Sequence, residues 1–339
     1  MTTPLNIGQI GAGRIGRLHA EHLAYRIPEA ALRVLADVDQ SAAAECAAQC
    51  GIPETTADYH ALLDRADIQA VVICSPTNTH ARIIEEAAQA GKHIFCEKPI
   101  NFDLDRIDRA LAAVTQAGVK LQMGFNRRFD TNFRRVRQAI EEGEIGQPHL
   151  LHIISRDPAP PPIEYVKVSG GLFMDMTIHD FDMARFLLGC DAEEVYAAGA
   201  VMVDPAIGAA GDLDTAVITL RFENGVIATI DNSRQAVYGY DQRVEVLGSS
   251  GAAQTGNNYP NSAVISTAQE VSRDLPLNFF IERYTESFLT EMRDFVACVL
   301  EDTLPPVTGE DAWAAALMAV AARESYERKR PVRLEAARP

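Results

Sequence analysis

Residues 11–16 read Gly-Ala-Gly-Arg-Ile-Gly, between an apolar run at Leu5–Ile10 and a helix-like stretch that opens at Arg14 and runs to about Ile27. A G-x-G-x-x-G string alone is a weak signal. Set between a strand and a helix, it dictates one local structure. Gly11 permits a tight turn, Gly13 lets the backbone approach a pyrophosphate, and Gly16 lets the helix pack closely on the strand. Arg14 and Ile15 then fall in the first helical turn, whose free N–H groups attract anions.

The rest of the first half repeats this unit. Strands are expected at Ala31–Asp37, Ala70–Ser75, His93–Glu97 and Lys120–Phe125. They alternate with helices at Ser41–Cys50, Asn78–Gly91 and Leu104–Gly118, the first of them capped by Ser41. Regular βα alternation predicts an N-terminal Rossmann-type, doubly wound parallel sheet. The second half changes character. A helix is expected from Gly171 to Leu188, then strands at Glu194–Ala200, Thr215–Phe222, Gly225–Asn232 and Gln242–Gly248. Strands in series predict a C-terminal α/β domain with a large open, mainly antiparallel sheet. Helical patterns at Tyr284–Glu301 and Glu310–Lys329 close the chain, and Pro158-Ala159-Pro160-Pro161-Pro162 reads as a stiff loop. The expected domains are 1–125 and 126–339, with the last helix packing back on the first.

Of the 339 residues, 31 are basic and 47 acidic, a net charge of −16 with only five lysines. A nucleic-acid partner calls for the opposite sign. No apolar run has the roughly 18–20 residues of a membrane span. The six cysteines form no CxxC and several lie in apolar runs, as expected of reduced thiols in the cytoplasm.

Asp37 ends the second strand, 21 residues after Gly16, with Val38 beyond it. A carboxylate there accepts hydrogen bonds from an adenosine ribose and repels a 2′-phosphate, and no arginine adjoins it. NAD is therefore expected over NADP. Ligands of open parallel sheets bind beyond the carboxyl ends of the strands. That places Ser75, Pro76, Thr77, Asn78 and His80 after one strand, and Glu97 and Lys98 after the next, against the cofactor. Farther on, Asp175 and His179 lie four apart in an apolar helical run and share a helix face, with Asp182 close to that face. The pair suits acid–base chemistry. No third strong ligand with catalytic-metal spacing accompanies it, so no metal is expected.

Taken together, these residues resemble the Gfo/Idh/MocA family of oxidoreductases across the whole chain, and within it the bacterial inositol 2-dehydrogenases. The closer likeness lies in Phe95–Pro99, Gln122–Asp130, Ile178–Arg185 and Tyr238–Asp241. The resemblance implies a catalytic set of Lys98, Asp175 and His179, a polyol pocket lined by Asn126, Arg127, Arg156, Asp157, Tyr238 and Tyr284, and a homotetramer. It implies NAD-dependent oxidation of myo-inositol to 2-keto-myo-inositol. The chain departs from the pattern at Asn126 and Asp157, where inositol dehydrogenases can carry Met and Asn, so the stereoisomer stays open. Scyllo-inositol or an aldose is the alternative substrate. An NAD-dependent glycosidase and a non-catalytic ligand sensor are the alternatives outside the dehydrogenases. An imidazole with an ordinary pKa near ~6.5 suits His179 as base, with Asp175 as its partner. Lys98, with an ordinary value near ~10.4, suits a cation stabilising the developing oxyanion.

Overall fold

The computed structural model describes residues 3–334. The chain forms two compact units, which divide at Asn126/Arg127. The first takes the chain up to 126 together with 286–313; the second takes 127–285 and the chain from 314 on. Neither unit is a single continuous stretch, and the segment that rejoins the first unit is mostly the penultimate helix. Its cause is apolar: Leu289, Met292, Phe295 and Val296 complete a core with Ile7, Leu23, Leu35, Val72 and Phe95.

In the first unit β1 (Leu5–Ile10), α1 (Arg14–Tyr25), β2 (Ala30–Ala36), α2 (Gln40–Cys50), β3 (Glu54–Thr56), α3 (Tyr59–Leu63), β4 (Ala70–Ile73), α4 (Thr77–Gln89), β5 (His93–Glu97), α5 (Leu104–Ala117) and β6 (Leu121–Gly124) follow in order. The six strands pair in parallel in the order β3-β2-β1-β4-β5-β6. The order reverses between β1 and β4, and a ligand crevice opens at such a reversal. One expectation is corrected here: α2 is capped by Asp39, whose carboxylate accepts from the backbone N–H groups of Ser41 and Ala42 at 3.0 and 3.1 Å. Asp39 lies one residue before the helix, where a short acceptor side chain reaches the free N–H groups; Ser41 is already inside it.

The second unit follows a 3₁₀ turn at Asn126–Phe129, with α6 (Thr131–Glu141), β7 (Pro148–Arg156), α7 (Ile163–Val166), a π-helical segment (Phe173–Thr177), α8 (Ile178–Leu188), β8 (Ala192–Ala200), α9 (Pro205–Ala209), β9 (Thr215–Phe222), β10 (Ile227–Ser233), β11 (Asp241–Gly248) and β12 (Gly251–Thr255). A short hairpin of β13 (Val264–Ser266) and β14 (Val271–Arg273) precedes α10 (Phe280–Leu300), α11 (Gly309–Arg328) and β15 (Val332–Arg333). Seven strands form one sheet in the order β12-β11-β7-β10-β9-β8-β15. All its pairs are antiparallel except β7 with β10. Residues alternate across it: Ala216, Ile218 and Leu220 are buried, whereas Val217, Ile227, Leu150 and Leu247 face outward.

The single helix expected over Gly171–Leu188 is corrected too. Its first turn is π-helical, and α8 begins only at Ile178. Asp175 and His179 therefore lie on either side of a π/α junction, so their four-residue spacing does not place them as on one regular α-helix. Such segments are rare and frequent at functional sites.

Candidate active site

At the end of β1, Gly11 has φ +107°, and a Cβ there would stand 2.6 Å from the carbonyl oxygen of Cys74. A Cβ on Gly16 would stand 2.2 Å from the carbonyl oxygen of Gly11. Gly13, by contrast, has nothing within 4 Å of that position. The first and third glycines thus bring backbone together, and the second leaves a cradle open. Buried Gln9 ties the loop: its amide nitrogen donates to the carbonyls of Gly11 and Gly16 at 2.9 and 2.8 Å. Helix α1, which begins with Arg14 and Ile15, has no side-chain cap and no acidic residue in its first turn. Asp37 stands against this loop, accepting from the backbone N–H of Ala12 at 2.6 Å and of Asp39 at 2.9 Å. Val38 is almost fully exposed beside it. Open cradle, uncapped helix and strand-end carboxylate fit a dinucleotide.

The two strand-end turns are stapled together. His80 of α4 places one ring nitrogen 2.7 Å from the carbonyl oxygen of Ser75 and the other 2.8 Å from that of Pro99. Only a doubly protonated ring satisfies both carbonyls, while burial opposes that charge and lowers its pKa. Pro76 precedes the helix that Thr77 and Asn78 begin, and Ser75 and Thr79 share a 2.6 Å hydroxyl contact. The Lys98–Pro99 peptide is cis. Glu97 meets Nε2 of His19 at 2.8 Å. Asn126 is buried, and its amide nitrogen has no hydrogen-bond partner among the described residues.

In the second unit, Asp175 accepts from the Tyr165 hydroxyl at 2.7 Å and from Nη1 of Arg234 at 2.8 Å. The same Arg234 nitrogen lies 3.6 Å from Asp157. One buried guanidinium therefore serves two carboxylates. Burial, with the charge of Asp175, pushes the Asp157 carboxyl up to about 6 against the opposing pull of Arg234. Asp157 extends the β7–β10 pairing: its N–H donates to the carbonyl of Ser233, and its own carbonyl accepts from Ala236. Arg156 pairs with Asp231 at 2.6 Å and donates to the Tyr238 hydroxyl at 3.1 Å.

Arg127 is buried rather than open to solvent. It donates to Asp180 at 2.6 Å and to the Tyr240 hydroxyl at 3.3 Å, and lies 5.8 Å from the ring centre of Tyr284. Asp182 leaves the face of Asp175 and takes a bidentate bond from Arg128. The structure thus joins Asp157 to Asp175, Arg156 to Tyr238 and Arg127 to Tyr284. Lys98 and Asn126 lie in the first unit and the remaining pocket candidates in the second. Gln9, His19, Tyr165, Arg234 and Tyr240 were not anticipated. Arg234 had one visible signal, an arginine directly after a strand that alternates apolar and polar residues.

Comparison with known proteins matches residues 5–125 to the oxidoreductase family with an NAD-binding Rossmann fold and residues 133–254 to the GFO/IDH/MocA C-terminal domain. A myo-inositol 2-dehydrogenase of Thermotoga maritima is 48% identical, covering 98% of this chain and 99% of its own length. An inositol 2-dehydrogenase of Rhizobium meliloti is 46% identical, covering 97% and 98%. A crystal structure of Lactobacillus casei scyllo-inositol dehydrogenase with bound NAD(H) and scyllo-inositol superposes with a TM-score of 0.92 at 32% identity, over 98% of this chain and 100% of that one. With both family models in register and the glycine loop, strand-end Asp37 and two-sheet architecture in place, this chain belongs to the Gfo/Idh/MocA family of NAD-binding oxidoreductases.

Proposed function

We propose that the protein oxidises myo-inositol to 2-keto-myo-inositol with NAD⁺. The observation that carries this reading is near-full-length identity of 48% and 46% to two inositol 2-dehydrogenases. Bound NAD⁺ supplies the hydride acceptor. His179 takes the proton of the reacting hydroxyl on its imidazole. Asp175, held by Tyr165 and Arg234, stabilises the resulting imidazolium. Lys98 donates to the oxygen as negative charge develops there. Gly11, Gly13, Arg14, Ile15 and Gly16 hold the pyrophosphate, Asp37 and Val38 flank the ribose, and Ser75, Pro76, Thr77, Asn78, His80 and Glu97 form the cofactor's other wall. Asn126, Arg156, Asp157 and Tyr238 bind substrate hydroxyls, and Arg127 with Tyr284 backs them. Six unpaired thiols suit the cytoplasm.

The reading extends to a homotetramer. Leu247, Leu150 and Ile227 occupy paired positions on β11, β7 and β10 and are all exposed, with Val217 on β9. An apolar face of this kind calls for cover by a second copy.

Initial rates of NADH formation with myo-, scyllo- and D-chiro-inositol and D-glucose, each with NAD⁺ and NADP⁺, test the assignment. The highest kcat/KM is expected for myo-inositol with NAD⁺. A lead by scyllo-inositol or glucose moves the substrate while keeping the chemistry. No NADH from any of them removes the dehydrogenase reading.

A further inference from the structure

Glu291 is the anomaly of the first unit. It lies on α10 among Leu289, Met292 and Phe295 of the core, is 0% exposed, and neither carboxyl oxygen has a hydrogen-bond partner among the described residues. One of those oxygens is 4.0 Å from Nε2 of His19, which is 2.8 Å from Glu97 on its other side. The fully buried His19 ring sits edge-on against Phe95 and Phe288, with centroids 5.1 and 5.9 Å away. The polar groups facing Glu291 are His19 of α1, Cys74 beyond β4, Glu97 of β5, and Gln122 of β6, whose amide donates to the Glu291 backbone carbonyl at 2.8 Å; Cys96 of β5 adjoins Cys74. Burial pushes both thiols up, so neither carries charge.

We propose that Glu291 is a positioning residue for the Glu97-Lys98-Pro99 turn: its carboxyl keeps its proton, and His19 therefore gives its Nε2–H wholly to Glu97. An ionised Glu291 competes with Glu97 for that one N–H; a neutral one, without charge to strengthen its carbonyl oxygen as acceptor, competes far less. Burial, reinforced by the charge of Glu97, holds the Glu291 carboxyl well above the ordinary carboxylate range. The outcome is an undivided His19–Glu97 contact at 2.8 Å, next in the chain to Lys98. Gly124, paired with Glu97 across β6, makes room for it: a Cβ there would lie 2.9 Å from the Glu97 carboxylate. A carboxylate fixed in this way sets where the backbone of Lys98 begins. The proton on Glu291 stands on the first unit alone, whereas its consequence rests on reading Glu97-Lys98 as the cofactor-facing turn.

Infrared difference spectra of wild type against Glu291→Gln test the proton directly. A protonated-carboxyl C=O band that persists in wild type at alkaline pH and is lost in the variant is expected. Its absence, or a band unchanged by the substitution, overturns the proposal. So does a stoichiometric divalent metal in the purified protein that is lost in Glu291→Gln, because a cation would then be what the three side chains hold. NADH fluorescence titrations across pH 6–9 test the consequence. Glu291→Gln, a neutral mimic, should bind within about two-fold of wild type with the same pH profile, His19→Leu should bind about ten-fold or more weakly, and His19→Gln, which keeps a donor, should recover most of that loss. A Glu291→Gln loss as large as that of His19→Leu shows that the ionised form is needed and overturns the proposal. Wild-type binding by His19→Leu, with the infrared band present, leaves the proton in place and removes the cofactor-facing reading of the turn.

Discussion

The carboxylate of Asp37 accepts the backbone N–H of Ala12 at 2.6 Å, so the residue that ends β2 also holds the glycine loop at the end of β1. The proposed ribose contact falls on the same carboxylate. Asp37→Ala would then remove both that partner and the loop tether, and NADH affinity should fall by about 10–100-fold, as for loss of a charged hydrogen bond. Adding Val38→Arg, at a position 91% exposed, gives a 2′-phosphate a cation. The double variant should prefer NADPH in direct binding titrations; continued preference for NADH removes Asp37 as the discriminator.

Gly13 and Gly16, three residues apart, should fail in different ways. Gly16→Ala drives a methyl to 2.2 Å from the Gly11 carbonyl and should cost about 1–3 kcal/mol or more in urea unfolding. Gly13→Ala meets no protein atom, so stability should hold within about 0.5 kcal/mol. Its methyl fills the cradle instead, and dinucleotide binding should fall. Equal destabilisation by both would show that the cradle is closed.

Burial, with the charge of Asp175, raises the Asp157 carboxyl to about 6. As the substrate contact proposed above, it would be ionised above that pH and accept from a substrate hydroxyl; below it that acceptor would be lost. Wild-type kcat/KM should therefore drop as pH falls through about 6. Asp157→Asn should lose about 10–100-fold above that pH and show a flatter acid limb. An unchanged limb assigns that ionisation to another group.

His22 points the other way. Burial, followed by the neighbouring charges of His19 and Arg26, lowers its pKa to about 4. The unfolded chain binds its proton near ~6.5, the folded one only near 4, so between those values the unfolded state holds more protons and stability falls as pH falls. The slope from this one group is at most about 1.4 kcal/mol per pH unit. Denaturant midpoints measured at several pH values should fall less steeply for His22→Leu than for wild type; parallel curves would place the acid sensitivity elsewhere.

The first sheet was legible because βα alternation and the glycine spacing are local, and strands buried on both faces announce themselves, as Ala70–Ile73 does. The second sheet was legible where polar and apolar residues alternate cleanly, as in Thr215–Phe222. Strand β7 was missed because it begins with Pro148, carries exposed Leu150, and pairs in parallel with a distant strand. The π-helical turn at Phe173–Thr177 leaves no mark in residue type that separates it from an α-helix. At the candidate site, the partnerships were not readable. Arg234 lies 59 residues from Asp175, and nothing local to either forecasts the bond. Glu291 had a signal, a carboxylate in phase with Phe288, Met292 and Phe295 on one helix face.

The return of residues 286–313 to the first unit also sets a timetable for the nascent chain. Its glycine loop and six parallel strands leave the ribosome early, yet Phe95 and Leu23 lack their helical cover until Leu289–Val296 have been made. The nucleotide-binding half therefore waits, with an apolar flank uncovered, through the synthesis of nearly all of the other half. Chaperone occupancy should be greatest in that interval, and a fragment ending at residue 125 should aggregate rather than fold.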